Sequence, residues 1–181
     1  MVTLVDIQKE LHAELLHRWR QQPDVARFMF SQKPISWTDH LRWLETLEHD
    51  PSRKHWIITF NRLPVGSAYL TEIDASHSRT MSGLYLAHAE VRGHGVGAAA
   101  ENLMLTYAFN YLGLEKVSCE IANTNESSLR MHKQVGFLPE GVFRRHVKLN
   151  GAWTDVHRLA ILRDDWIQKS PTQKRIHSLS Q

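Results

Sequence analysis

Arg92-Gly-His-Gly-Val-Gly97 is the stretch of this 181-residue chain whose residue types best suit chemistry. Gly93, Gly95 and Gly97 carry no Cβ, so the backbone here can take unusual dihedrals and approach a ligand closely. A helical pattern starts at Val96. The first N–H groups of a helix have no internal partner, and its dipole favours an anion. Arg92 adds a positive charge. Together these features make a cradle for a pyrophosphate. The same glycines would also serve only to turn the chain, and taken alone they leave both readings open.

Two other phosphate loops fit less well. A dinucleotide fingerprint needs Gly-x-Gly-x-x-Gly inside a repeated βαβ pattern, and a triphosphate loop ends in Gly-Lys-Ser/Thr; neither is present. The elements that must hold the loop are a strand before it and a helix after it. Leu84-Tyr85-Leu86-Ala87 is short, apolar and aromatic, as a buried strand is. Positions 96, 99, 100, 103, 104, 107, 108 and 111 hold Val, Ala, Ala, Leu, Met, Tyr, Ala and Tyr. This i, i+3, i+4 spacing predicts a helix from 96 to 111 with that stripe facing a core.

The rest of the chain reads as a mixed α/β protein. A first strand spans Val2–Val5, and Leu11, Leu15, Leu16 and Trp19 mark an amphipathic helix ending before Pro23. Residues 24–30 are expected to form a short second helix. Ser36 or Thr38 caps a third helix carrying Leu41, Leu44 and Leu47. Strands follow at 56–60 and 65–70, joined by a turn at 61–64, and then at 83–87. Gly113 ends the long helix. A strand at 116–121 leads to a helix from Asn125 to Val135, and Asn150-Gly151 closes a hairpin between 143–149 and 153–161. The expectation is one domain over residues 1–167 and a polar, basic, frayed tail over 168–181.

Arg92-x-x-Gly95-x-Gly97 resembles the Arg/Gln-x-x-Gly-x-Gly/Ala signature of the Gcn5-related N-acetyltransferase (GNAT) family. Asn125-Glu-Ser-Ser-Leu-Arg-Met-His-Lys-Gln-Val-Gly-Phe137 resembles that family's second motif, and Leu162-Arg-Asp-Asp-Trp166 is similar to its closing segment. The resemblance spans roughly residues 2–167. It implies a mostly antiparallel central sheet flanked by helices and splayed at the site of acetyl-coenzyme A. The pyrophosphate then lies on Arg92, Gly93, His94, Gly95, Val96, Gly97 and Ala98. The pantetheine arm pairs with the strand at Leu86 and Ala87, and Asn125 and Ser128 complete the cofactor site. At 100° per residue Asn125, Ser128 and His132 lie within about 60° on one helix face.

Many members carry tyrosine where this chain has His132. An imidazolium can protonate the departing thiolate, and roughly a quarter of an unperturbed histidine is charged at pH 7. Thiolate protonation by water is the alternative. Glu72, near the end of a strand, is the candidate base for the attacking amine. An exposed strand-end carboxylate with no catalytic part is the competing reading.

The N-terminal third usually selects the acceptor. Trp19-Arg-x-x-Pro23-Asp, Met29, Ile35 and His40-Leu are similar to the enzymes of pseudaminic-acid biosynthesis that acetylate the 4-amino group of a UDP-linked amino-dideoxy sugar. That resemblance implies a nucleotide-sugar pocket holding Arg20, Met29 and His40. Related patterns occur in enzymes acting on ribosomal-protein N-termini or polyamines, so those acceptors stay open. So does an acyl-coenzyme A-binding regulatory module without turnover.

Composition narrows the class. The single cysteine, Cys119, excludes an internal disulfide and any multi-cysteine metal site, and is expected on a core strand. The twelve histidines show no zinc-like spacing, so no metal is expected. A net charge of +3 without a clustered basic run argues against nucleic acid. No apolar run is long enough for a membrane span, and the expectation is a cytoplasmic protein acting on a small-molecule amine, with a homodimer left open.

Overall fold

The computed structural model describes residues 1–169. Seven strands form one sheet in the order β1-β2-β3-β4-β5-β7-β6. They are β1 Val2–Asp6, β2 Lys54–Phe60, β3 Leu63–Asp74, β4 Arg79–Leu86, β5 Lys116–Ala122, β6 Leu138–Leu149 and β7 Ala152–Leu162. The helices are α1 Lys9–Gln21, α2 Pro23–Ala26, α3 Trp37–Leu47, α4 Val96–Thr106, α5 Glu126–Val135 and α6 Arg163–Lys169. Every neighbouring pair is antiparallel except β4 and β5.

Alternation along β2 gives the sheet two buried faces. Trp56 and Ile58 join the larger core beneath α4, with Ala100, Met104, Leu105 and Phe109. Ile57 points the other way, into a second core with Leu16, Trp19 and Leu44 from α1 and α3. Burying each such aliphatic side chain contributes about 1.5–3 kcal/mol. Tight turns set the register: Asn61 and Arg62 both take positive φ between β2 and β3, as do Asn150 and Gly151 between β6 and β7.

Several elements differ from the sequence expectation. α2 stops at Ala26, and residues 27–30 continue as a turn. β3 runs to Asp74 rather than 70, because β4 pairs with it through Leu70 and Thr71. α4 passes into a π-type turn over Tyr107–Tyr111. Its inner face is rotated from the predicted stripe: Leu103 and Tyr111 are exposed, while Glu101 and Leu105 are fully buried. α6 extends to Lys169, past the domain boundary expected at 167; the remainder of the expected tail lies outside the described residues.

His55 on β2 sits between the rings of Trp43 (5.3 Å) and Tyr69 (5.2 Å). Burial, helped by nearby Arg53, pushes its pKa down to about 4. The unfolded chain therefore binds a proton here below about pH 6.5 that the folded protein refuses until about pH 4. Stability should fall as pH drops through that window, by at most about 3 kcal/mol from this group. Melting curves between pH 7 and 4 test this: His55→Phe should lose less stability on acidification than the parent.

Candidate active site

β4 and β5 are hydrogen-bonded only through Arg79–Lys116, Thr80–Val117 and Met81–Ser118. Beyond these pairs the strands part, and a cavity of about 910 Å³ opens between Met81–Leu86 on one side and Cys119–Ala122 on the other. It continues to Gly93, Gly95, Gly97 and Ala98 at the start of α4, to Asn125 and Ser128 on α5, and to Arg27–Phe30 after α2.

The backbone of β4 is directed into this opening. Ala87 N–H donates to the Val65 carbonyl on β3 (2.8 Å). Amide directions alternate along a strand, so the N–H groups of Leu84 and Leu86 face the split. The Leu86 carbonyl faces it too, and accepts from the Arg92 guanidinium (2.9 Å). Ala87 is thereby corrected: its amide belongs to the sheet, and its side chain packs in the second core.

The glycine loop fits a pyrophosphate. Gly93 and Gly95 have φ of +80° and +76°, the left-handed region, and a Cβ at either would meet nothing within 4 Å. Gly95 is the N-cap of α4 and supplies no side-chain cap, so the first-turn amides are open towards the cavity. Not every residue of the motif takes part by its side chain. His94 is exposed and Val96 is buried in the core, and neither lines the cavity. Arg92 lines it while braced by the Leu86 carbonyl and by Asp24 of α2 (3.3 Å), so its guanidinium also anchors the loop.

On α5, Asn125 caps the helix by accepting from the Ser128 amide (3.3 Å). His132 lies one turn beyond Ser128 and is 3 % exposed. Its Nδ1–H donates to the Ser128 carbonyl (2.9 Å), an acceptor only, which fixes a proton on Nδ1. Its Nε2 lies 3.6 Å from Oε2 of Glu101, and Oε1 of Glu101 accepts from the Ser82 hydroxyl (2.7 Å). Burial alone would lower the imidazole pKa; the Cys119 and Glu101 side chains more than reverse this and push it up to about 11. The shift is thus upward from the ordinary value on which the quarter-charged expectation rested. Cys119 is buried on β5 as expected, but it also lines the cavity, and burial pushes its thiol pKa up.

Glu101 was not singled out by its sequence. The signal was present: it precedes buried Leu105 by four residues and buried Ala108 by seven, which puts a carboxylate on the inner face of α4. Glu72 lies in the β3 bulge between Thr71 and Asp74, with φ of +51°, and lines the cavity rather than ending a strand. A bulge re-aims a side chain.

The residues expected to bind the acceptor separate. Met29 lines the cavity. Arg20 does not; its guanidinium donates to the Ser31 carbonyl (2.6 Å) and lies near the phenols of Tyr69 and Tyr85, which do. His40 is corrected. It is 3 % exposed, its Nε2 bonds the Ala13 carbonyl (2.8 Å), and it packs among His17, Trp37 and Trp43, joining α3 to α1.

A sequence model of the acetyltransferase (GNAT) domain family matches residues 2–138, and the chain belongs to this family. It is an N-acetyltransferase that uses acetyl-coenzyme A. Acetyltransferase PseH of Campylobacter jejuni is 29% identical over 124 residues, covering 68% of this chain and 75% of that protein. Probable N-acetyltransferase YjcK of Bacillus subtilis is 33% identical over 123 residues, 67% of each. The crystal structure of spermidine N-acetyltransferase from Vibrio cholerae, in complex with CoA and spermine, superposes with a TM-score of 0.85 at 21% identity. It covers 92% of this chain and 98% of that one.

Acetyl-coenzyme A should raise the melting temperature, because a ligand that binds only the folded state stabilises it. Gly97→Val should abolish that shift. A Cβ at Gly97 makes ordinary contacts with Leu84 and Leu86 (3.8 and 3.9 Å), so the loss would come from the valine methyls filling the cradle. Gly95→Ala should instead lower the melting temperature of the ligand-free protein, by about 1–2 kcal/mol of stability, since it forces a left-handed backbone on a Cβ-bearing residue. Thermal shift with and without acetyl-coenzyme A reads both.

Proposed function

We propose that the acceptor is the 4-amino group of a UDP-linked amino-dideoxy sugar, attacking the thioester directly. The charge balance of the cavity wall carries this reading. Its carboxylates are Asp24, Glu72 and Glu120, set against Arg27, Arg92, Arg130 and Arg158. Asp24 is paired with Arg92 (3.3 Å) and Arg27 (3.8 Å), and Glu120 with Arg158 (2.8 Å). A polyamine therefore meets one cavity carboxylate without an ion-pair partner among the described residues, Glu72. The guanidinium groups are ion-paired too, Arg130 with Glu126 (3.1 Å), but the wall carries four of them against three carboxylates, a balance that suits a diphosphate better than a polycation. Phe28, Met29 and Phe30 add apolar surface against which a base and a sugar can pack. The resemblance of residues 19–41 to the amino-sugar enzymes supports the same choice. Polyamines are the second reading, favoured by the fold likeness to the spermidine enzyme.

Acetyl-coenzyme A supplies an activated acetyl group and a thiolate leaving group. The Leu84 and Leu86 amides polarise the carbonyl from the wall of the split, where charge develops. Glu72 takes the proton the amine must lose, as the N–C bond forms and the C–S bond breaks. His132, whose Nδ1 proton is held by the Ser128 carbonyl, gives its Nε2 proton to the departing sulfur and is left neutral.

Mass-spectrometric product detection with UDP-amino sugars, spermidine and N-terminal peptides side by side tests the acceptor. The amino sugar should be acetylated; turnover of spermidine or peptide alone would reject the reading. Glu72→Gln should lower kcat by about 10²-fold with acetyl-coenzyme A binding intact.

His132 is active when protonated, so its contribution is lost only as pH rises through its elevated pKa. The rate should therefore show no alkaline fall between pH 7 and 9. His132→Phe should cost on the order of 100-fold in kcat. A fully active Phe variant would assign the proton to water.

A further inference from the structure

Four elements bring polar side chains to the apex where β4 and β5 part: Ser82 from β4, Glu101 from α4, Cys119 from β5 and His132 from α5. Glu101 is 0 % exposed on an otherwise apolar helix face. A buried carboxylate is costly unless it is paired and hydrogen-bonded. Packing alone would be served better by leucine or methionine.

The pairing is specific. The Ser82 hydroxyl donates to Oε1 and turns Oε2 towards Nε2 of His132. Both atoms are buried without a hydrogen bond of ordinary length among the described residues, and at 3.6 Å each is the other's facing charged group. Nδ1 already spends its proton on the Ser128 carbonyl. A bare Nε2 lone pair facing a carboxylate would be repulsive, so this geometry favours a second proton on the ring. Phe137 holds the ring in place edge-on, with centroids 5.1 Å apart at 83°.

We propose that Glu101 is a positioning residue for the acetyl transfer: aimed by Ser82, it fixes the His132 ring as a cation at the apex of the split, where the departing sulfur gains negative charge. A cation held in a buried site stabilises that charge without reorganising. The other ionisable groups around the pair are the Cys119 thiol on β5, Tyr69 on β3 and Arg158 on β7. Arg158 is spent on Glu120 (2.8 Å), and burial pushes both the thiol and the phenol towards their neutral forms. Glu101 is therefore the carboxylate placed to oppose a charge on His132. This rests on acetyl transfer, not on the choice of acceptor.

Glu101→Gln keeps the shape and the Ser82 contact and removes only the charge. Two readouts are followed: NMR titration of the His132 ring with no acceptor present, and kcat against pH with whichever amine the parent acetylates. In Glu101→Gln the ring should titrate at about pH 7 or below, roughly four units lower than in the parent. At pH 8, kcat should drop by about 10-fold or more, and recover towards the parent's as pH is lowered to 6. KM for acetyl-coenzyme A should stay within about twofold of the parent's, since only uniform binding would raise it alone. An unmoved titration, or a loss of kcat equal at every pH, overturns the proposal. If Glu101→Gln fails to fold, the parent's own titration decides: a His132 ring neutral at pH 8 overturns it, and a cationic one upholds it. A parent that acetylates no amino sugar leaves the ring titration untouched, so the two failures are separable.

Discussion

β4 and β5 run parallel, pair over three residues and then separate. The rest of the site follows from that. An antiparallel neighbour reached by a tight hairpin would zip along its full length. Here the connection is a crossover through α4, and parallel strands joined in this way need pair only where the chain enters them. The unpaired amides of β4 beyond Met81 would be a liability in a closed sheet. At a split they are directed hydrogen-bond donors without a protein partner to displace.

The crossover helix serves both ends of the opening. Its N-terminus, capped by Gly95 with no side chain, presents amides at one end of the cavity. One turn further in, Glu101 reaches the apex and meets Ser82 and His132. An anion site and a buried anion thus lie about one helical turn apart, separated by the helix's own packing against Leu84 and Leu86. The arrangement works because α4 is otherwise apolar and its early residues are small, so the helix lies close to the sheet it spans.

The acceptor side is built differently. Its residues come from the turn after α2 and from the β3 bulge. Arg92 is the strut between them, bound to Leu86 on β4 and Asp24 on α2. Ion pairs of this partly exposed kind contribute little stability, roughly 0–1 kcal/mol. Their effect is to neutralise acids that would otherwise set the cavity's charge, which bears on acceptor choice more than on folding.

The sequence alone determined the strand–glycine loop–helix unit, the β6–β7 hairpin and the Asn125-to-Phe137 segment. Each is a local pattern: positive-φ turns at Asn150-Gly151, an N-cap at Asn125, glycines where the chain needs φ above zero. Local periodicity fixes such features within a few residues. Tertiary structure alone decided which face of α4 is inner, that His40 is a buried bolt between α1 and α3, and that Arg92 braces the loop. It also brought a carboxylate beside His132 and so set the direction of its pKa shift. A histidine's pKa depends on what burial removes and what a neighbour supplies. The neighbour is Glu101, 31 positions away, on a helix that the parallel crossover carries back beneath the sheet. No spacing rule within one element reports a contact of that kind.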